Sequence, residues 1–204
     1  MLLHPPHVSP STGREKPDLR RSLLSRRDAL TERERTDKSA VICARAGAAI
    51  AARCEVGAVV ALYAHKGSEV ETTALDEALR AAGFHVVYPR VIDGSRVLAF
   101  YDNAIGELAV SRWGLREPAA DAARAVGLEA IAAFVIPGVA FDRGGGRLGW
   151  GKGHYDATLA ARGAAAVTIG LAFECQIVDA VTREAHDVPL DCVITEHERE
   201  EGLA

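Results

Sequence analysis

The sequence predicts an α/β domain of three layers (α/β/α), with helices on both faces of a mainly parallel central sheet. Short apolar runs, β-branched in part, alternate with amphipathic or alanine-rich stretches along most of the chain. That is the order of parallel strands joined by crossover helices. The most glycine-rich stretch closely follows one of those apolar runs, at the end of a strand where open α/β sheets present their ligand loops. At 204 residues with 49% hydrophobic side chains, the chain can build one sizeable core and is too short for two full domains.

Taken in order, residues 1–15 hold three prolines, serines and a glycine without periodicity and are expected to form a disordered extension, leaving residues 16–204 as the folded domain. A basic helix is expected from Pro17, with Leu19, Leu23, Leu24 and Leu30 as its apolar positions. A second helix begins at Thr31, because Thr31 and Glu34 have capping-box spacing, and runs to about Arg53. Residues 56–63 read as a core strand, 73–82 as a helix stopped by Gly83, and 85–88 as a strand before Pro89. A further strand is expected at 97–100, while 116–128 is alanine-rich and fits either loop or helix. Residues 132–136 form a buried strand that Pro137 and Gly138 end, so 139–153 reads as one long loop. Asp156 then opens a helix over 156–162, and strands follow at 165–171 and 192–195.

Composition excludes several classes of function. A formal charge of −4 gives no general attraction to nucleic acid or to an anionic membrane surface, so any recognition of anions must be local. The longest apolar runs are too short to span a bilayer. Cys43, Cys54, Cys175 and Cys192 lack Cys-x-x-Cys spacing, and with no secretory signal in the sequence they read as reduced thiols of a cytoplasmic protein.

The run Arg147-Leu148-Gly149-Trp150-Gly151-Lys152-Gly153-His154-Tyr155-Asp156 carries the chemistry. Alternating glycines let peptide N–H groups approach anionic oxygens, Arg147 and Lys152 add charge, and a following helix adds its positive end. The spacing matches neither a dinucleotide fingerprint nor a Walker loop, so by itself the pattern fits a phosphate site and a plain glycine turn equally. Similar alternatives hold elsewhere. Lys16 and Arg20, four apart, also suit a solvated helix face. Glu71 suits a helix start, as does Asp156. Asp187 suits an ordinary acidic turn, and Trp113 and Trp150 suit packing.

The longer string Ile136-Pro137-Gly138-Val139-Ala140-Phe141-Asp142, followed by Gly145 and then 147–156, resembles the signature of the 5-formyltetrahydrofolate cyclo-ligase family, also called methenyltetrahydrofolate synthetases. Further landmarks recur in order over about residues 16–196: Lys16, Leu19 and Arg20; Glu69-Val70-Glu71-Thr72; Pro89-Arg90; Glu117-Pro118; the stretch from Gly170 to Gln176; and His186-Asp187. The chain departs from the family at Trp150, usually tyrosine, and at His154, usually tyrosine or phenylalanine. The resemblance implies a reaction in which ATP, with Mg²⁺, phosphorylates the formyl oxygen of 5-formyltetrahydrofolate and N10 closes the ring to 5,10-methenyltetrahydrofolate. It implies that Lys16, Pro17, Asp18, Leu19 and Arg20 bind ATP together with Arg147, Leu148, Gly149, Trp150, Gly151, Lys152, Gly153, His154 and Tyr155. Within that set Arg147 and Lys152 serve the chemistry. It further implies Lys66, Glu71, Trp150 and Tyr155 on the folate, Asp156 and Asp187 on Mg²⁺, and a monomer that engages neither nucleic acid nor membrane.

Overall fold

The computed structural model of the chain describes residues 15–197, so the expected N-terminal extension lies outside the described residues except for Glu15, which begins a helix. The helices are α1 (Glu15–Asp28), α2 (Glu32–Ala51), α3 (Thr73–Ala81) and α4 (His154–Ala160). The first strands are β1 (Val59–Ala61), β2 (His85–Arg90), β3 (Ala99–Asp102), β4 (Ala109–Val110), β5 (Arg116–Glu117) and β6 (Ala125–Val126). They are followed by β7 (Ile131–Ile136), β8 (Ala140–Asp142), β9 (Arg147–Leu148), β10 (Val167–Leu171), β11 (Ile177–Val178) and β12 (Cys192–Ile194).

Seven strands form the central sheet in the order β12-β10-β7-β1-β2-β3-β6. The ladders from β12 through β2 are parallel, and β3 and β6 add an antiparallel edge. The mainly parallel sheet expected from the sequence is therefore present. On one face α2 lays Ile42, Ala46 and Ile50, a spacing of four that makes one stripe of the helix, and α3 adds Leu75 and Leu79 against Val60, Leu62, Val86, Val135 and Ile169. On the other face Leu159 of α4 packs with Ala61, Val87, Phe100, Phe134 and Ile136. Successive residues of a strand point to opposite faces, so Val60 and Ala61 feed different cores.

Local signals placed most elements well. Thr31 caps α2: its Oγ1 accepts the Glu34 N–H at 3.2 Å, and the Glu34 carboxylate accepts the Thr31 N–H at 2.8 Å. Gly83 ends the α3 region at φ 87°. Several expectations are corrected. Pro89 lies inside β2, paired antiparallel with Phe100, where the sheet changes direction. The strand expected at 97–100 is shifted to Ala99–Asp102. The segment 139–153 is no simple loop, because β8 and β9 form an antiparallel hairpin that pairs through β8 with β11. Helix α4 starts at His154, with Gly153 as its cap, so Asp156 stands in its first turn instead of opening it.

That hairpin builds a small third core, in which Leu23 of α1 meets Val139, Ala140, Leu148 and Val181. Helix α1 thus clamps the hairpin. All four cysteines are free thiols, and burial pushes the Cys43 thiol up to about 11, as befits a small apolar core group. Among the described residues no helix is long and apolar enough to cross a membrane.

Candidate active site

The chain leaves β1 toward β2 on one side and returns at β7 on the other, so the connections from neighbouring strands diverge at their carboxyl ends and open a crevice. A cavity of about 780 Å³ lies there, bounded by Tyr63, Lys66 and Glu69 after β1 and by Pro137 after β7. Every residue from Arg147 to Asp156 lines it, as do Lys16 and Arg20 from α1 and Asp187 from the 182–190 loop.

The glycine ribbon is shaped by its neighbours. A Cβ on Gly149 would lie 2.7 Å from Nη1 of Arg147, so the guanidinium folds closely over the backbone there and would have to shift for any larger residue. Gly151 and Gly153 take φ of 89° and 70°, the left-handed region that other residues rarely enter. Arg20 ties α1 to the ribbon by donating its Nε–H to the Gly149 carbonyl at 2.8 Å. His154 Nδ1 lies 2.9 Å from the Arg96 carbonyl; since a carbonyl only accepts, that nitrogen carries the proton.

Charges in the cleft are partly paired. One guanidinium nitrogen of Arg147 donates to both oxygens of Asp156 at 3.0 Å, with the side chains 6% and 19% exposed, and the buried Arg147 Nε has no partner. Lys16 sits 2.6 Å from Glu184 and 3.8 Å from Asp187, whose other bond comes from the Glu184 N–H at 2.7 Å. Lys152 has no ion-pair or hydrogen-bond partner among the described residues and lines the cavity as a free cation. Its charge is available to a ligand.

The cavity is also bordered by aromatic rings. Tyr63 and Trp113 join Trp150 and Tyr155 of the ribbon in its lining, with Arg147 stacked 5.6 Å over the Tyr155 ring. Glu69 is 6% exposed and accepts the Lys66 backbone N–H at 3.0 Å and the Trp150 indole N–H at 3.3 Å. Burial raises its carboxyl above the ordinary range, opposed by the Lys66 N–H, the Arg27 charge and the Trp150 bond. Burial likewise raises the Tyr63 and Tyr155 phenols, so both stay neutral hydrogen-bonding groups.

The fold gathers most of the residues singled out from sequence. Lys16, Arg20, Lys66, Trp150, Tyr155, Asp156 and Asp187 all meet in one cleft with the ribbon. Pro17, Asp18 and Leu19 do not reach it: Asp18 pairs with Arg21 at 3.5 Å on the surface, and Leu19 packs in the α1–hairpin core. Glu71 also lies outside the lining, its carboxylate 3.5 Å from the Thr36 hydroxyl of α2. Glu69, two residues earlier in the same motif, is the acid that faces the cavity. Arg27, buried with its guanidinium 5.9 Å from the centre of the Trp150 ring, had no signal in the sequence beyond being one of four arginines of α1.

The sequence profile of the 5-formyltetrahydrofolate cyclo-ligase family matches residues 12–196. The 5-formyltetrahydrofolate cyclo-ligase of Mycolicibacterium smegmatis is 30% identical over 187 residues, covering 89% of this chain and 94% of that protein. The Escherichia coli protein of the same name is 32% identical over 139 residues, 67% of this chain and 76% of that one. The 5,10-methenyltetrahydrofolate synthetase of Mycoplasma pneumoniae superposes with a TM-score of 0.72 at 27% identity, over 90% of this chain and 99% of that chain. A profile spanning nearly the whole described domain, together with relatives matched over most of both lengths, shows that the chain belongs to the 5-formyltetrahydrofolate cyclo-ligase family.

Proposed function

We propose that this enzyme converts 5-formyltetrahydrofolate to 5,10-methenyltetrahydrofolate with consumption of ATP in the presence of Mg²⁺. The observation that carries the reading is the meeting, in one crevice at the sheet's switch point, of a glycine ribbon, a lysine unpaired among the described residues and a buried carboxylate among aromatic rings. An amide oxygen is a poor leaving group. Transfer of the γ-phosphoryl group to the formyl oxygen makes it a good one, after which N10 attacks the formyl carbon and phosphate departs.

Catalysis of this kind rests on positioning and on neutralising charge on the phosphoryl oxygens. Lys152 and Arg147 supply the cations, the ribbon's N–H groups the hydrogen bonds, and Lys16 and Arg20 reach the nucleotide from α1. Pro17, Asp18 and Leu19 act by fixing that helix. The donor set fits Mg²⁺: Asp156 and Asp187 offer carboxylate oxygens to one cavity, and an ion that keeps waters and phosphate ligands needs only one or two carboxylates. When bound, the ion neutralises phosphate charge. For the folate, we assign to Glu69 the role expected of Glu71, since an ionised carboxylate there accepts pterin N–H groups. Lys66, Trp150 and Tyr155 flank it. We further propose that the enzyme works as a cytoplasmic monomer.

The test mixes purified protein with 5-formyltetrahydrofolate, ATP and Mg²⁺ and follows methenyl absorbance. Product formation that requires all three components is expected; a folded sample without turnover refutes the proposal.

A further inference from the structure

Arg27 is 2% exposed and has no carboxylate within ion-pair distance among the described residues, an expensive place for a charge unless neighbouring dipoles hold it. Its Nε–H donates to the Ser68 hydroxyl at 2.9 Å, and Ser68 in turn donates to Asp28. Its Nη1 donates to the Gly138 carbonyl at 3.3 Å, just past the end of β7. The guanidinium lies 5.9 Å from the centre of the Trp150 ring, and the indole N–H of that ring bonds Glu69. One side chain from α1 therefore touches the turn after β1, the turn after β7 and the ribbon, while lining no part of the cavity itself.

We propose that Arg27 is a positioning residue for the substrate end of the cleft, bracing the Trp150 ring from behind and holding Glu69 in its anionic, hydrogen-bond-accepting form. The role rests on the reading of Glu69 as a folate contact. The charged and titratable groups around Glu69 are Arg27 from α1, Lys66 from its own turn, Tyr63 after β1, and Tyr155 with Arg147 from the ribbon side. Tyr63 is buried and Tyr155 half-buried, both phenols are raised and neutral, and Arg147 is engaged by Asp156. Arg27 and Lys66 are thus the cations that favour the Glu69 anion, which burial opposes. Of the two, Lys66 directs its ammonium to the Trp113 carbonyl, 3.3 Å away at the cavity's rim. Removing Arg27 should leave Gly138 satisfied, because the Gln176 side-chain amide also donates to that carbonyl at 2.9 Å.

The experiment has a ligand-free arm and a turnover arm. The chain has two tryptophans, so Trp113→Phe leaves Trp150 as the reporter, and its emission is titrated with pH in Trp113→Phe, with Arg27→Met, Arg27→Lys or Glu69→Gln added. Expected are a Trp150 transition that Glu69→Gln abolishes, that Arg27→Met moves to higher pH, and that Arg27→Lys leaves close to its original position. In the turnover arm, run without the Trp113 change, Arg27→Met raises KM for 5-formyltetrahydrofolate about tenfold with KM for ATP little changed, the scale of one lost charged hydrogen bond. A transition unmoved in Arg27→Met, or moved equally in Arg27→Lys, overturns the proposal. If Arg27→Met does not fold, Ser68→Ala, which removes the Nε acceptor, must move the transition the same way or the proposal fails. Absence of turnover in the unmutated enzyme would strike the folate reading alone, and the fluorescence arm would still decide whether Arg27 sets the state of Glu69.

Discussion

The pairing of Arg147 with Asp156 makes a quantitative demand on stability. Substituting Arg147→Met keeps much of the side chain's volume and removes both 3.0 Å bonds to Asp156, leaving a carboxylate whose side chain is only 19% exposed. Removing one partner of a buried pair costs about 3–5 kcal/mol, and the share of Asp156 that water still reaches places the expectation at the low end, about 3 kcal/mol. With a urea slope of about 2 kcal/mol/M for a domain of this size, the unfolding midpoint should fall by about 1.5 M. Adding Asp156→Asn removes the stranded charge, so the double variant should recover about 2 kcal/mol of the loss. Equilibrium urea unfolding of the four proteins, followed by far-UV circular dichroism, measures the cycle. A loss below about 1 kcal/mol in Arg147→Met, or purely additive effects, would refute the claim that the two groups compensate each other in the cleft wall. The same proteins test the metal assignment, since Asp156→Asn should raise the Mg²⁺ concentration needed for half-maximal turnover and an unaltered titration removes Asp156 from that role.

Lys152→Ala should raise KM for ATP at least tenfold while leaving the free energy of unfolding within about 0.5 kcal/mol of the original, because the lysine has no partner to lose among the described residues; unchanged kinetics refute its role. Glu69→Gln separates function from stability. The folded carboxyl is raised above its ordinary 4.5 by burial, so the contribution of Glu69 to stability is present at acid pH and lost as pH rises through the folded value. The glutamine variant lacks that loss. It should be at least as stable as the original protein at pH 8, with folate turnover sharply reduced; a variant less stable at pH 8 than at pH 5, relative to the original, contradicts the sign. Gly145→Ala probes the hairpin turn. With φ of 83° and a Cβ that would stand 2.1 Å from the Leu190 carbonyl oxygen, it should cost about 2–5 kcal/mol, read as a thermal midpoint lowered by about 4–20 °C.

Legibility in the sequence followed the range of the interactions. The Thr31–Glu34 capping box, the Gly83 stop and the apolar core strands were readable because their causes lie within a few residues: a hydroxyl three positions from an N–H, a positive φ, a short run of apolar side chains. The ribbon at 147–156 was readable for the same reason, since its glycines, cations and following helix are contiguous. Family resemblance extended that reading to Lys16, Arg20 and Asp187, and the fold does bring them to the ribbon.

Which acid of the 69–72 motif faces the cavity was beyond local patterning. Glu69 and Glu71 are two apart and would share a face in a regular strand, but the chain turns here, with the Glu69 N–H bonded to the Lys66 carbonyl at 3.2 Å. The turn aims one carboxylate at Trp150 and leaves the other beside α2. The β8–β9 hairpin was equally hidden, because its short strands are held by β11 and by Leu23 of α1, partners far away in sequence. So was Arg27, whose contacts at Ser68, Gly138 and Trp150 lie 41 or more residues distant. The sequence alone determined the order of elements and the phosphate-type ribbon, since each is written in nearest-neighbour chemistry. Only the tertiary structure decided which buried charges meet at the cleft, since that depends on where long-range packing closes turns and buries one arginine among four.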